Sequence, residues 1–518
     1  MRGPRGAQVV LAIAIVALAV WRLKCVFAGP EVDTDAYAHH IIARAILADP
    51  RDLAVHWVWL PVFHYLQVPL VALGGRLRDV RCLNVLLSAA LPVVLYRYVR
   101  RTAQRGESGI TPEATGLLAA LFAAACPIAM QMGTTGQPEP LFALLVLGVA
   151  ITYQDRRYGA AAWLLAIAAG LRYEAWAAVA TIAAIYVVES LWRRRKGLAQ
   201  EPEGWRALVI VGASVAVVVA WATLRKPFDG RWFGFLRETK QFANGVAHQG
   251  SALDAGFAAL AHSAIYYPYT VALRVFGYVT GDVTLPLPLL LVPFGVVKTV
   301  REQGARFVLV LASALGFISF TWMMRSSLGL DRHFVVVVAL YATFAAQGVA
   351  VIAGWVAWIA KRFHLPTAVS AATGRCVGAV VGVLSLGALM MGLDQWMGFW
   401  TASVARGWPM RERVGAFLRT LPEGAPIYCD DATIEILSGL DRRRFDRHWV
   451  DDPHTWELIT NAAQAPGAVY VATWTDKMRG HESTGDFVYR ARENQDDPAS
   501  EISVLRVRPA ERQASGIR

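Results

Sequence analysis

The stretch Gly29-Pro30-Glu31-Val32-Asp33-Thr34-Asp35-Ala36-Tyr37-Ala38-His39-His40-Ile41-Ile42-Ala43-Arg44-Ala45-Ile46-Leu47 follows directly on an apolar run from Ala7 to Ala28. That run is long enough to cross a bilayer as a helix. It follows Arg2 and Arg5 and reads as an uncleaved first span. The acids Glu31, Asp33 and Asp35 therefore stand where the chain meets water. Behind them Ile42, Ile46 and Leu47 mark one face of an amphipathic helix. Asp35 has two readings here, a reactive carboxylate or a helix N-cap. Downstream, His56-Trp57-Val58-Trp59-Leu60-Pro61-Val62-Phe63-His64-Tyr65-Leu66 is rich in aromatics and broken by proline, which predicts a second helix lying along the interface.

Outward from this loop the chain keeps the same character. Of its 518 residues 55% are hydrophobic and only 17% charged, against about a quarter charged in soluble domains. The apolar residues fall in blocks of roughly 17–25, and the blocks Ala207 to Leu224 and Phe334 to Ile359 carry no charge. About eleven spans are predicted, starting near residues 7, 82, 113, 139, 159, 175, 207, 284, 306, 333 and 375. The short ones at 139–153 and 159–171 are the least regular.

The net charge of +12 is unevenly placed. From Asp394 onward 16 Lys and Arg face 19 Asp and Glu, leaving 35 against 20 in the preceding chain. The basic excess thus belongs to the spans' connecting loops, and no nucleic-acid partner is implied. Arg97, Arg100, Arg101 and Arg105; Arg156 and Arg157; Arg193 to Lys196; Lys298, Arg301 and Arg306; and Lys361 and Arg362 all lie on one side if the N-terminus is cytoplasmic. The other side receives the first loop, loops near 131–138, 172–174 and 325–332, a long loop at about 225–283, and the tail. This predicts a multi-pass protein of the cytoplasmic (inner) membrane, with a membrane domain over 1–393 and a periplasmic or extracytoplasmic domain over 394–518. In the latter, Met410 to Leu421 is helical in pattern, and Pro426 to Cys429, Ala468 to Val471, Phe487 to Tyr489 and Ile502 to Val507 are β-type runs, so a small α/β domain is expected. The five cysteines show no paired spacing.

Residues of catalytic type gather on the predicted outer side. Gln137-Pro138-Glu139-Pro140-Leu141 opens one span, Gly170-Leu171-Arg172-Tyr173-Glu174 precedes another, and Asp331-Arg332-His333-Phe334 opens a third. The arginines have two readings, anion-stabilising groups or snorkelling anchors. Glu174 pairs with Arg172 or serves beside it. His39, His40, His56 and His64 are candidate metal ligands, although the adjacent His39 and His40 face different sides of a helix. Metal dependence stays open, and a divalent ion is one reading. In the long loop, Arg231 to Gly234, His248, His262 and Tyr266 to Tyr269 suit sugar or lipid contact or interfacial anchoring. Cys429-Asp430-Asp431 and Asp451-Asp452 read as loop acids.

The arrangement resembles the GT-C superfamily of polyprenyl-phosphate-sugar-dependent glycosyltransferases, in the family 39-like branch that includes protein O-mannosyltransferases and aminoarabinose transferases. Asp35 stands at the branch's acidic position, eight residues before the pair Ala43-Arg44, and Trp59-Leu60-Pro61 with His64-Tyr65-Leu66 match its Pro-containing second interfacial helix. Glu139, Arg172 and Arg332 match its later acid and basic positions. The matches have departures: Asp35-Ala36 stands in place of an Asp-Glu pair, Glu139 in place of Asp, and Arg332 lacks the usual Tyr and Pro neighbours.

The resemblance implies an all-α, polytopic GT-C-like fold with interfacial helices in the first outer loop. It implies inverting transfer of a sugar from a polyprenyl-phosphate donor to a lipid, glycan or protein acceptor. Asp35 would be the base, with Asp33 the alternative and Glu139 a further catalytic acid. Arg172, Glu174, Arg332, Tyr37, His39 and His64 would contact substrate, the arginines stabilising the phosphate leaving group. The rivals are a transporter, for which the chain lacks internal repeats and mid-span acids, and a non-catalytic scaffold or sensor.

Overall fold

A computed structural model describes residues 4–31, 33–104, 110–199, 204–246, 256–265, 278–280, 283–285, 287–324, 326–327, 330–446, 450, 453–492 and 501–509. His248, Tyr266 to Tyr269, Asp451 and Asp452 lie outside them. The chain divides into two compact units: Met1–Pro30 with Asp49–Met397, and Glu31–Ala48 with Gly398–Arg518.

The first unit is helical. In chain order it holds α1 (Pro4–Ala28), α3 (Val62–Ala72), α4 (Leu77–Thr102), α5 (Pro112–Ala125), α6 (Pro127–Met132), α7 (Glu139–Gln154), α8 (Tyr158–Ala169), α9 (Glu174–Arg195), α10 (Arg206–Asp229), α11 (Gly234–Val246), α12 (Leu287–Gln303), α13 (Ala305–Met323), and α14 (Val338–Arg362), with α15 (Thr367–Leu418) starting in this unit. Each of the eleven predicted span starts falls in or within a few residues of a helix. Among the described residues, seven helical segments are long and apolar enough to cross a membrane. The shorter apolar helices α5, α7 and α8 owe their shortness to punctuation. Thr111 caps α5 and Pro112 opens it, Cys126-Pro127 ends it, and Arg156 turns the chain between α7 and α8 with φ 60. Helix α7 is largely buried, and α8 packs between it and α10.

The tightest helix pair is α12 on α14. A Cβ added at Gly295 would run into the Phe344 carbonyl oxygen, and one at Gly348 into that of Leu291. Without side chains at the crossing the two backbones meet directly, the usual route to helix association where lipid removes the hydrophobic incentive. Residues 331–337 form a 3₁₀ helix leading into α14, and almost all of α14's first half is buried.

A second constraint is the segment 126–138, in which the short helix α6 gives way to an irregular turn at 133–138, all of it buried except the half-buried Ala129. Non-helical backbone survives at such depth only when protein groups satisfy it. Helix α4 supplies them. Arg81 Nε donates to the Thr134 carbonyl at 2.8 Å, and Asn84 Nδ2 donates to the carbonyls of Thr135 and Gln137, both at 2.7 Å. From α1, the buried Arg22 reaches the Ala129 carbonyl at 3.5 Å.

The second unit is α/β. Besides a short hairpin elsewhere in the chain (β1, Tyr278–Thr280; β2, Val283–Leu285), the strands are β3 (Ile427–Tyr428), β4 (Phe445–Asp446), β5 (Tyr470–Trp474), β6 (Gly485–Arg492) and β7 (Glu501–Val507). They form one mixed sheet in the order β4-β3-β5-β7-β6, parallel from β4 to β5 and antiparallel beyond. The period-2 pattern of the sequence has its cause here. Tyr470, Ala472, Ile502 and Val504 pack with Met410, Val414 and Leu418 of α15 on one face. Val469, Val471, Leu505 and Val507 pack with Trp456 and Ile459 of α17 (Pro453–Ala462) on the other. Helix α2 (Thr34–Ala48), which the sequence assigns to the first outer loop, clusters with this unit and packs on α16 (Ala432–Ser438). Its Tyr37 ring lies 6.0 Å from that of Trp408.

Replacing Gly348 by Val is expected to separate α12 from α14 and lower the unfolding temperature of the detergent-purified protein by several degrees. Overpacking typically costs about 1–3 kcal/mol. Gly316, whose Cβ position faces open space, is the control and should tolerate Ala.

Candidate active site

The residues that the sequence singles out at the starts of three different helical segments come together in the first unit. Glu139 is the first residue of α7 and Glu174 the first of α9, positions where the helix N-terminus favours a carboxylate. Pro138 and Pro140 flank Glu139 without loss, because the first helical turn has no intrahelical use for their missing N–H. Arg172 stands in the turn between α8 and α9. Its Nη1 donates to Glu139 Oε1 at 2.6 Å. Its Nη2 and Nε donate to the Glu174 carboxylate at 2.7 and 3.1 Å, a fork-on-fork pair. Arg332, from the 3₁₀ turn, brings its Nε to 3.6 Å from Glu139 Oε1, an electrostatic approach longer than a hydrogen bond. The four charges alternate Arg332, Glu139, Arg172, Glu174 and sum to zero. Both glutamates are buried, and each arginine side chain is 15% exposed. Burial works against the Arg172 charge, but the carboxylates of Glu174 and Glu139 outweigh it and hold its pKa above the ordinary arginine value.

The turn carrying Arg172 is fixed from several directions. The Val62 amide donates to the Gly170 carbonyl at 3.1 Å. Trp176 Nε1 reaches the Ala169 carbonyl at 2.9 Å, and the Tyr173 hydroxyl donates to the Val58 carbonyl at 2.7 Å. Gly170 is required by this approach, since a Cβ would press on Val62. The loop 53–61 is thereby bound to the start of α9. It is also bound to α10, whose Arg225 pairs with Asp229 at 2.6 Å and donates to the Leu53 carbonyl at 2.7 Å.

His56 and His64 are paired rather than arranged for metal. Their Nδ1 atoms are 2.8 Å apart, so one ring donates and the other accepts. Both are fully buried, and Trp221 meets His56 edge-on at 4.9 Å. That burial places His64 inside the loop's core and away from solvent. Among the described residues, no group of three or more His, Cys, Asp or Glu side chains is placed to hold a metal ion.

In the second unit, Asp33 caps α2. Its Oδ1 accepts the Asp35 amide at 3.1 Å, while its own amide donates to Glu31 Oε1 at 3.0 Å. The capping role that the sequence allows for Asp35 thus falls to Asp33, and Asp35 stands in the helix's first turn, half-buried. The Tyr37 hydroxyl donates to the Glu31 carbonyl at 3.2 Å. His39 and His40 are buried. In the tail, Asp430 accepts from Thr473 and Lys477, and Asp431 from Arg411, at 2.7 to 2.8 Å. These are ties within the domain.

Sequence reasoning missed Arg81, Asn84 and the Arg225–Asp229 pair. The available signal was polar residues three or four apart inside otherwise apolar helices, which must face protein.

The sequence matches no protein-family model, and no curated protein sequence matches it. By structure the chain is similar to ArnT, an aminoarabinose transferase, from Cupriavidus metallidurans in the apo state. The TM-score is 0.57 at 14% identity, covering 96% of this chain and 98% of that one. It is likewise similar to the same protein bound to undecaprenyl phosphate, with a TM-score of 0.53 at 14% identity, covering 97% and 98%. The fold is thus shared with that transferase over nearly the whole chain, and the described residues include seven helical segments long and apolar enough to cross a membrane.

Replacing Arg172 by Gln takes the shared cation from two buried carboxylates and leaves Glu139 only the longer approach of Arg332. The expected cost is on the order of 3–5 kcal/mol, read as a large drop in unfolding temperature. Glu174→Gln should cost less, because Glu139 still engages Arg172.

The His pair sets a pH dependence. Burial first, and the nearby Arg225 charge second, lower the His56 pKa from 6.5 to about 3. The unfolded chain therefore takes up its proton first as pH falls. The stabilisation is complete above pH 6.5 and declines toward about 3 by roughly 1.4 kcal/mol per pH unit. His56→Asn should flatten this slope in unfolding measured across pH.

Proposed function

We propose that this chain is a glycosyltransferase. It moves a sugar from a polyprenyl-phosphate-linked donor to a lipid, glycan or protein acceptor on the outer face of the cytoplasmic membrane, with inversion at the anomeric carbon. The observation that carries this reading is the convergence of Glu139, Arg172, Glu174 and Arg332 at the starts of α7, α9 and the 3₁₀ turn within a GT-C fold. The solved structure bound to undecaprenyl phosphate has that fold over nearly the whole length of the chain.

The chemistry asks for three things. The acceptor's hydroxyl or amine must lose a proton as its oxygen or nitrogen bonds to the anomeric carbon. The bond from that carbon to the phosphate oxygen must break. The phosphodiester then becomes a phosphomonoester with one more negative charge. Asp35 is the proposed base. It is chosen over Asp33, whose carboxylate is engaged in capping α2.

Arg332 and Arg172 are the proposed groups for the growing phosphate charge. Glu139 and Glu174 fix the Arg172 fork from two sides, so that its orientation precedes substrate binding and costs nothing during the reaction. The long Arg332–Glu139 approach is the contact most easily exchanged for one to phosphate. Tyr37 and His39 are proposed to act on α2 near the base. His64 is read as part of the His pair that shapes the loop. The membrane domain over 1–393 is proposed to hold the donor lipid and the 394–518 domain to face the periplasm.

The test is a transfer assay with purified protein, candidate polyprenyl-phosphate sugars and membrane acceptors. Asp35→Asn should lower kcat by at least about 100-fold, within the range of general-base contributions, with little change in unfolding temperature. Arg332→Gln should reduce kcat/KM for the donor. Full activity in Asp35→Asn would overturn the base assignment, and its survival in Arg332→Gln would overturn that of the phosphate contact.

A further inference from the structure

The first unit contains a second charged region, at the opposite helix ends from Glu139 and Glu174. Two adjoining hollows of about 290 and 320 Å³ share Glu189, Arg193 and Arg306 in their linings. On α9, Glu189 lies fifteen residues beyond Glu174, roughly 20 Å along the axis, so this region is separate from the candidate active site.

Its floor is an ion pair. Arg306 Nε donates to Glu189 Oε1 at 3.0 Å and its Nη2 engages Oε2, while its guanidinium lies 5.3 Å from the Tyr153 ring. With Arg306 thus balanced by Glu189, the remaining charged lining among the described residues is basic: Arg193 and Arg194 in the first hollow, Arg156 and Arg193 in the second. Arg194 has no ion pair among the described residues. The rim includes Trp205, which is 57% exposed and immediately precedes the membrane-crossing helix α10. On the same two helices, Val187, Val188 and Leu191 of α9 and Leu208 of α10 are exposed apolar side chains on segments long and apolar enough to span. A basic, aromatic-edged hollow at the ends of helices that also carry exposed apolar side chains has the layout that recognises a lipid rather than a soluble anion.

We propose that this region is a binding site for an anionic phospholipid. The head-group phosphate sits among Arg193, Arg194 and Arg156, and the acyl chains lie along the exposed apolar face of α9 and α10. The site is independent of the transfer reaction and requires none of the residues assigned to it. Tyr158 and Tyr186 line the same hollow and offer hydroxyl donors. Charge, hydrogen bonding and apolar contact are thereby combined in one place.

The test uses the full-length protein in nanodiscs of mixed phosphatidylcholine and phosphatidylglycerol. Lipid retained after mild detergent extraction is identified by mass spectrometry of the intact protein. Wild type is expected to retain phosphatidylglycerol in preference to phosphatidylcholine. Arg193→Gln combined with Arg194→Gln should reduce that preference on the order of ten-fold, since each basic side chain near a membrane surface contributes about 1 kcal/mol. Arg193→Lys with Arg194→Lys, which keeps the charge, should preserve most of it. The unfolding temperature of each variant separates loss of the site from loss of the fold. No preference in wild type, or an unchanged preference in the Gln pair, would overturn the proposal. Displacement of the lipid by millimolar inorganic phosphate would overturn the lipid assignment, because the anion alone would then account for binding.

Discussion

Arg172 is where the membrane unit is knotted together. One guanidinium reaches two carboxylates that open two different helices, 33 and two residues away in sequence. Arg332 approaches the nearer side of the same network from a third segment. Four charges in a place nearly without water are costly unless each is balanced, and here they are balanced in alternation. The balance sets where α7 and α9 begin and how the turn between α8 and α9 is aimed. The loop 53–61 follows, since Tyr173, next in the chain, holds the Val58 carbonyl. Removing the knot would disturb the helix starts and the loop together.

The same requirement, that no polar group be left unmet away from water, explains the segment leading to Glu139. Residues 126–138 hold only the short helix α6 and an irregular turn, yet they are almost wholly buried. Their carbonyls are met by Arg81 and Asn84 of α4 and by Arg22 of α1. Helix α4 thus acts on the candidate site without contributing a reacting group, by fixing the approach of Pro138 and Glu139. The close crossing of α12 and α14 serves the 3₁₀ turn that carries Arg332 in a similar way: a helix start is placed by the backbone contact behind it.

Much of the candidate site was legible in the sequence, for a physical reason. Charged residues at the ends of apolar runs are rare because they are expensive, so Glu139, Arg172, Glu174 and Arg332 stood out without any knowledge of packing. The pairing of Arg172 with Glu174 was readable from their spacing of two. Its bond to Glu139 was not, because it depends on how α8 packs against α7 and brings the turn at Arg172 beside the start of α7. The histidines show the converse. Four of them in one loop are candidate metal ligands by residue type, and the structure joins His56 to His64 beside Trp221. Nothing in their spacing of eight distinguishes a ligand from a buried hydrogen-bonded pair. The sequence allowed Asp35 as the cap of α2; the exact start of that helix gives the role to Asp33.

The sequence by itself determined residence and order: apolar runs of bilayer length, basic loops alternating with acidic and aromatic ones, and a tail whose period-2 runs required a sheet. These are local properties, dictated by the solvent each segment must face. Tertiary structure alone decided the rest. It grouped α2 with the C-terminal domain, filled two faces of a mixed sheet from helices at both ends of that domain, and closed Glu139, Arg172, Glu174 and Arg332 into one network. It also placed Arg193, Arg194 and Arg306 around a hollow at the far end of the same helices. Such placements come from the crossing of elements distant in the chain, and no local preference for helix, strand or interface carries that information.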